Sequence, residues 1–306
     1  MDEEREIGMK RRARILGVGS LAILVTATVG FAASISEHWN GDQSQAFDIL
    51  GRNDGSATSN VVDAEAKDGR ALRLTLDARP AVGPIRGPSI ESKARYQYGT
   101  FTSRLKTADC SAQGNAGVVT GFFTYFNDGE TDDNKNGLPD NSEIDFEWLC
   151  AAPQEIYLTM WTDYRDSDAA HRRVMRYIDL RTGTIKKTCY FERFGWSNCQ
   201  ALTDDAEALP RTIPAMTDYE PHKKYYEVGF TWLPGQVTWW IVDPRSGERI
   251  ILWDYKRADR IPDNPATYMT NIWHTNSWYP LGMNGARRAP RRAISQFVDW
   301  TSVTSP

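Results

Sequence analysis

Cysteine is scarce in this chain, with four in 306 residues, and no two of them have the C-x-x-C spacing of a zinc site. An excess of one charge is also lacking, because the formal net charge is only −4. That balance gives no reason to expect a nucleic acid or an anionic membrane surface as a partner. From residue 60 onward the sequence has no apolar period of helical length. These absences disfavour a zinc site, a nucleic-acid partner and a helical fold.

Short strands separated by turns account for most of the chain. The alternation of Leu72, Leu74 and Leu76 predicts a strand that follows a turn at Asp68-Gly69. The predicted strands are residues 60–66, 71–78, 98–106, 117–126, 143–149, 155–163, 173–180, 225–233, 236–243, 248–254, 267–274 and 293–303. This pattern indicates an all-β fold, a β-jelly roll sandwich of two stacked antiparallel sheets in a single domain. Residues 187–222 and 275–292 are predicted to be long loops that shape a binding site.

The N-terminus carries a targeting pattern. Basic residues within positions 10–14 precede an uncharged run from Ile15 to Ala33. We expect residues 1–33 to be either a signal peptide cleaved after Ala32 or an uncleaved anchor, which would be the protein's one membrane contact. Either alternative places residues 34–306 outside the cytoplasm, secreted or anchored.

All four cysteines lie in this exported part, where thiols are oxidised. An even number predicts two disulfides, and Cys189 with Cys199 would close a short loop. Cys110 with Cys150 is then the second pair.

The most informative stretch is Glu143-Ile144-Asp145-Phe146-Glu147. In a β-strand its three acidic side chains share one face, and like charges in that arrangement repel each other. Paired carboxylates are also the equipment of a retaining glycosidase, in which one attacks the anomeric carbon and the other protonates the departing oxygen. The middle Asp145 is placed to hydrogen-bond the nucleophile, and its charge favours the protonated acid. The alternative is the solvated polar face of an amphipathic strand.

This stretch resembles the E-I-D-x-E signature of glycoside hydrolase family 16, which includes bacterial lichenases and plant xyloglucan endotransglycosylases. The resemblance covers roughly residues 85–303. It includes the segments 98–101 and 117–125, the F-T-W-L-P-G hairpin beginning at Phe230, and the strand at 270–273. It implies a concanavalin A-like sandwich with a concave substrate cleft, in which Glu143 is the nucleophile and Glu147 the acid and base.

The resemblance also implies a set of sugar-binding residues, and core packing is the alternative role of the aromatic ones. They are Phe123, Tyr125, Thr159, Trp161 and Trp273, together with His274 and Trp278. The sequence departs from lichenases at Ser89 and Glu91, where that group has Glu and Arg.

A second motif overlaps the acidic stretch. A D-x-N-x-N-G-x5-E pattern from Asp132 to Glu143 matches an EF-hand calcium loop. Glu143 cannot be both calcium ligand and nucleophile, and strands rather than helices are predicted on both sides. We interpret the loop as an insertion at the rim of the cleft that either binds no metal or holds a structural calcium without Glu143. The ligands of that calcium would be Asp132, Asn134, Asn136 and Asp140.

The sequence therefore predicts an exported, monomeric, retaining endo-β-glucanase that needs no cofactor for its chemistry. Its partner would be a polysaccharide with β-1,4 or mixed β-1,3-1,4 linkages, because the E-x-D-x-E spacing resembles that branch of the family. A transglycosylase with the same residues, a non-catalytic glucan-binding lectin and a calcium-dependent adhesion protein are the alternatives.

Overall fold

The computed structural model of the chain describes residues 34–133, 135, 137–164, 171–193, 195–278 and 286–306. The predicted targeting segment 1–33 and the predicted calcium ligands Asn134 and Asn136 lie outside these residues. Within them, no helix has the length and apolar character needed to span a membrane.

Two antiparallel sheets contain nearly all of the regular structure in the described residues, which confirms the predicted fold class. Sheet 1 consists, in the order in which its strands lie side by side, of β12 (Gln200–Ala201), β11 (Thr184–Phe191), β10 (His171–Asp179), β9 (Glu155–Tyr164), β8 (Ser142–Leu149), β7 (Val118–Phe126), β16 (Ala266–His274), β5 (Ser89–Tyr96) and β2 (Phe47–Leu50). Sheet 2 consists of β15 (Arg249–Tyr255), β14 (Gln236–Val242), β13 (Tyr226–Leu233), β6 (Gly99–Lys106), β17 (Ile294–Thr304), β4 (Arg70–Leu76) and β3 (Gly55–Val62), and β1 (Ile35–Glu37) pairs with β17.

Aromatic side chains fill the space between the two sheets. Phe122 of β7 stacks on Phe146 of β8 at 5.8 Å between ring centroids, and on Phe230 of β13 at 5.4 Å. Ile144, Phe146 and Trp148 are essentially buried, because alternate residues of β8 point into this core. The other face of β8 is therefore available for polar side chains.

Five strands were not predicted, namely β1, β2, β5, β11 and β12. The predicted loop 187–222 is wrong in part, because β11 covers Thr184–Phe191 and β12 covers Gln200–Ala201. β5 and β11 both lie toward the edges of sheet 1, where part of each strand faces solvent. Each strand therefore contains lysine or arginine in place of a regular apolar alternation. Sequence periodicity misses such strands.

Short helices and the two disulfides complete the described structure. The short helices are α1 (Asp205–Ala208) and two 3-10 turns, Trp196–Asn198 and Ala258–Arg260. The structure contains the two predicted disulfides, Cys110–Cys150 and Cys189–Cys199. Two disulfides in a domain of this size indicate an extracytoplasmic protein.

Candidate active site

A cavity of about 1070 Å³ lies over the outer face of sheet 1. Its floor comes from seven neighbouring strands, from β5 at one end to β11 at the other. The acidic strand β8 is the middle strand of these seven, with β9, β10 and β11 on one side and β7, β16 and β5 on the other. We call these sides the β9–β11 flank and the β16–β5 flank. An extended ligand can therefore pass over β8 in both directions.

Glu143, Asp145 and Glu147 all line this cavity, as the alternation along β8 predicts. Backbone pairing places an aromatic residue on each side of Glu143, which lies between Tyr125 of β7 and Trp161 of β9. Glu147 lies between Gly121 of β7 and a tyrosine of β9. The three acidic groups thus form a row along the middle of the floor.

Asp145 is almost completely buried, with 3% of its surface exposed. The hydroxyl of Thr159 donates a hydrogen bond to its carboxylate, and the side chains of Glu143 and Trp161 also hydrogen-bond it. Burial raises the pKa of Asp145 to about 7, although these hydrogen bonds act in the opposite direction. From sheet 2, the indole N–H of Trp239 donates to the backbone oxygen of Asp145 at 3.1 Å. The hydrogen bonds thus hold the carboxyl group in position, and burial raises the pKa at which it takes up a proton.

The environment of Glu147 favours the protonated form of its carboxyl group. Burial raises its pKa well above the ordinary range of a glutamic acid, and the neighbouring charge of Asp145 raises it further. Arg173 lowers the pKa of Glu147, but its effect is smaller than that of burial. A carboxyl group in this environment can act as a general acid.

Arg173 of β10 is a cavity residue that the sequence analysis did not identify. Its guanidinium group lies 4.8 Å from the ring centroid of Trp161 and 4.4 Å from that of Phe191. Burial lowers the pKa of Arg173 to about 10, so the group keeps its positive charge at neutral pH. Its position in register with Trp161 could have been inferred only from the pairing of β9 with β10.

Six of the seven predicted sugar-binding residues line the cavity: Phe123, Tyr125, Thr159, Trp161, Trp273 and Trp278. His274 does not. It is buried, and its Nδ1 lies 2.8 Å from the backbone oxygen of Gly117. Because neighbouring residues of β16 point to opposite faces, Trp273 and His274 cannot both face the cavity.

Tyr157 and Asn271 also line the cavity, although the sequence did not predict them as site residues. Tyr157 of β9 stacks on Tyr177 at 4.3 Å and makes an edge contact with Trp278 at 4.7 Å. Asn271 of β16 is buried, and its side chain occupies the space beside Gly121, where a Cβ atom would lie 2.5 Å from Asn271 Oδ1. Glycine at 121 therefore leaves room for an amide next to Glu147.

Arg52, Arg86 and Ser89 lie at the end of the β16–β5 flank and also line the cavity. Arg52 forms an ion pair with Glu91, and the hydroxyl of Ser89 donates to the same carboxylate at 3.0 Å. The two positions that depart from lichenases thus form one polar group with Arg52.

The predicted calcium loop is described in part. Asp140 is buried and accepts a hydrogen bond from the backbone N–H of Asp133 at 2.6 Å, and Asp132 accepts one from the N–H of Gly137 at 3.0 Å. Burial raises the pKa of Asp140, and nearby aspartates add to this effect. No group of three or more histidine, cysteine or acidic side chains suited to a metal occurs among the described residues. Glu143 lies in a strand on the cavity floor rather than in a calcium loop.

A β-sandwich whose cleft contains a row of three carboxylates has the equipment of a retaining glycosidase. The sequence model described as "Glycosyl hydrolases family 16" matches residues 52–177, which include β8. The resemblance to family 16 found in the sequence is therefore confirmed over this part of the chain. No curated protein sequence matches the chain.

Solved structures show the same fold at low sequence identity. The kappa-carrageenase from Pseudoalteromonas carrageenovora, in complex with an oligotetrasaccharide of kappa-carrageenan, is 16% identical with a TM-score of 0.51, over 91% of this chain and 98% of that chain. The catalytic domain of an endo-1,3-beta-glucanase (laminarinase) from Thermotoga petrophila is 12% identical with a TM-score of 0.50, over 90% and 97%. A transglycosylase in its apo form is 13% identical with a TM-score of 0.50, over 90% and 85%.

Proposed function

We propose that the chain is an exported retaining endo-β-glucanase and that residues 34–306 are its catalytic domain. The observation that carries this proposal is the row of Glu143, Asp145 and Glu147 on the floor of a cavity large enough for several sugar rings. The family match over residues 52–177 supports glycosidic bonds as the target. Residues 1–33 would direct export, either as a signal peptide or as an anchor.

In this proposal Glu143 attacks the anomeric carbon while Glu147 donates its proton to the departing glycosidic oxygen. Glu147 then takes a proton from water, and that water displaces Glu143 from the sugar. The raised pKa of Glu147 favours the protonated state that the first step requires. The hydrogen bond between Asp145 and Glu143 holds the nucleophile in position.

Two features support an endo-acting enzyme on a glucan. The cavity continues over three strands on each side of β8, so a chain can extend beyond the cleaved bond in both directions. Trp161 and Trp273 provide ring faces for the apolar C–H faces of pyranoses. The E-x-D-x-E spacing favours a glucan with β-1,4 or mixed β-1,3-1,4 linkages.

The test is a panel of polysaccharides with product analysis. Cleavage of barley β-glucan or another β-1,4-containing glucan into oligosaccharides supports the proposal. Products longer than the substrate would instead identify a transglycosylase. Binding without cleavage of any β-glucan would identify a lectin.

The matched variants are Glu143→Gln and Glu248→Gln. Glu143→Gln should lower kcat by at least about a thousandfold while leaving polysaccharide binding intact. Glu248 is exposed near the end of a hairpin in sheet 2, so Glu248→Gln should leave kcat unchanged. Full activity of Glu143→Gln would refute the assignment of the nucleophile.

No step of this chemistry needs a cofactor. A structural calcium at residues 132–140 is a separate proposal, which predicts that a chelator lowers Tm and that added calcium restores it. An unchanged Tm would favour the metal-free loop.

A further inference from the structure

Trp196 lies outside every motif found in the sequence, yet it lines the cavity on the β9–β11 flank together with Gly195 and Phe191. The side chain is half-buried. Its ring contacts Tyr177 at 6.1 Å and Phe191 at 6.2 Å between centroids. A partly covered indole at a cleft presents an apolar surface that one additional ligand group can cover.

The segment that carries Trp196 is fastened to sheet 1 at both ends. It begins directly after Phe191, the last residue of β11, and ends where β12 pairs with β11. The disulfide joins Cys199, which directly precedes β12, to Cys189 within β11. Between these points a 3-10 turn over Trp196–Asn198 is closed by the N–H of Cys199, which donates to the backbone oxygen of Trp196 at 3.2 Å.

A separate hydrophobic cluster supports this segment from behind. Tyr157, Met175, Tyr177, Cys189 and Phe191 form a cluster distinct from the core between the sheets. Trp196, Cys199 and Trp278 pack against it. The disulfide is thus part of the same packed group as the wall of the cavity, and removing it would loosen the support of Trp196.

The segment that carries Trp196 leaves sheet 1 at the end of the β9–β11 flank that lies farthest from the acidic row. The segment extends from β11, which is three strands away from β8, and neighbouring strands lie about 4.8 Å apart. β11 itself is therefore about 14 Å from β8 across the sheet. A ring stacked on Trp196 would belong to a part of the polysaccharide remote from the cleaved bond.

We propose that Trp196 is a binding platform for a remote pyranose ring of the substrate and that the Cys189–Cys199 disulfide holds this platform in place. The inference rests on the proposed function for the identity of the ligand. It adds a specificity for chain length, because only oligosaccharides long enough to reach β11 gain from the contact.

The experiment compares long and short oligosaccharides of whichever glucan the wild type cleaves. Trp196→Ala should raise KM for long substrates about five- to tenfold, with kcat and the kinetics of the shortest cleaved substrate unchanged. Trp196→Phe should recover part of the loss. Trp300→Ala is the matched control, because Trp300 is also half-buried but lies in β17 of sheet 2. An unchanged KM in Trp196→Ala, or an equal loss on short and long substrates, would overturn the proposal.

The role of the disulfide is tested by Cys189→Ala combined with Cys199→Ala, which leaves Cys110–Cys150 intact. This variant should raise KM for long substrates only, and adding Trp196→Ala should cause no further rise. Fully additive losses would show that the disulfide does not act through Trp196. The kinetics on the short substrate serve as the folding control.

The proposed function and this inference can fail separately. If the wild type cleaves no β-glucan, the proposed function fails, and retardation of the chain in gels that contain β-glucan becomes the readout. Weaker retardation of Trp196→Ala than of Trp300→Ala then supports the platform, and equal retardation of these two variants overturns it.

Discussion

The two flanks of the cavity differ in both chemistry and construction. The β9–β11 flank presents ring faces, including Tyr157, Trp161 and Phe191. It is fastened by ring stacking and by a disulfide. The β16–β5 flank presents the rings of Phe123, Tyr125 and Trp273 together with Asn271, Ser89 and two arginines, and its outer edge is fastened by ion pairs. Ring faces accept any pyranose that offers a C–H face, whereas amides and ion pairs make directional hydrogen bonds. We therefore expect general affinity from the rings of both flanks and sugar selectivity from the polar edge of the second.

The edge of the β16–β5 flank is a short segment, residues 82–86, which we call the lip. The N–H of Gly83 donates to the backbone oxygen of His274 at 3.0 Å, which docks the lip on the end of β16. Arg86 forms two hydrogen bonds with Asp54, at 2.8 and 3.1 Å, and Asp54 also accepts one from the N–H of Ala81. One carboxylate thus holds both ends of the lip. Val82 and Ile85 remain exposed at 48% and 78%.

Among substitutions on the two flanks, the largest loss of kcat is expected where the β9–β11 flank contacts the acidic row directly. Asp145 has Thr159 as its strand neighbour on this side but Phe123 on the other, so the hydroxyl donor comes from one flank alone. Thr159→Val removes a hydrogen bond to a buried carboxylate, a loss of about 1–3 kcal/mol. We expect kcat to fall about 10- to 100-fold. The pKa of Asp145 should rise further, because this hydrogen bond lowers it.

Thr162→Val on the same strand is the control for this change. The hydroxyl of Thr162 is buried and has no hydrogen-bond partner among the described residues. Its replacement should leave kcat within about twofold of the wild type. Equal losses in both variants would mean that Thr159 acts through packing and not through Asp145.

The second effect concerns the charge of Arg173 on the same flank. A positive charge near Glu147 favours the ionised acid and so lowers its pKa. Arg173→Gln should therefore raise the pKa of Glu147, so that the acid stays protonated to higher pH. We expect the basic limb of the profile of kcat/KM against pH to move to higher pH. Arg173→Lys keeps the charge and should leave the basic limb nearly in place.

A shift of the same size in Arg173→Lys would contradict an electrostatic role. The ring contacts with Trp161 and Phe191 would then be the important feature, because a lysine does not reproduce a guanidinium stacked on rings.

The contrast between the flanks also shows what the sequence could predict. The two-residue period of a strand predicts that Glu143, Asp145 and Glu147 lie on one face. The family resemblance predicts that Thr159 and Trp161 lie at the site. The same period, applied to β16, would have excluded His274 once Trp273 was chosen. In contrast, Arg173, Trp196 and the lip depend on which strands become neighbours and where loops return. That information is not local, so no pattern in the sequence encodes it.

The fold was predictable to a similar extent. Strands with a buried apolar face, such as β4 and β8, were found with their boundaries nearly correct. β5 and β11, which form the two ends of the cavity floor, were missed because solvent on one side permits charged residues. The centre of the site was therefore predictable and its ends were not. Substrate length and selectivity depend on those ends.

The third effect is a test of the lip. Arg86→Ala removes the clamp to Asp54, and we expect KM to rise up to about fivefold with kcat and Tm little changed, because the arginine of this pair is exposed to solvent. Asp54→Ala should give the same result, and the double variant should be no worse than either single variant. The control is Arg245→Ala, which breaks a comparable exposed pair with Asp243 at the hairpin between β14 and β15. A matching rise in KM for Arg245→Ala would exclude a specific role for the lip.

The smallest effect is expected at Ile85, the most exposed large apolar side chain among the described residues. It lies on the lip at the cavity edge, where a sugar ring can contact it. Contact of a sugar ring with this side chain would bury a modest apolar area, so Ile85→Ala should raise KM about two- to threefold. Val62, at 72% exposure on the opposite sheet, provides the control, and Val62→Ala should leave KM unchanged. If Ile85→Ala raises KM while Arg86→Ala does not, the lip contacts substrate without needing its clamp. If neither changes KM, the substrate does not reach this edge of the cavity.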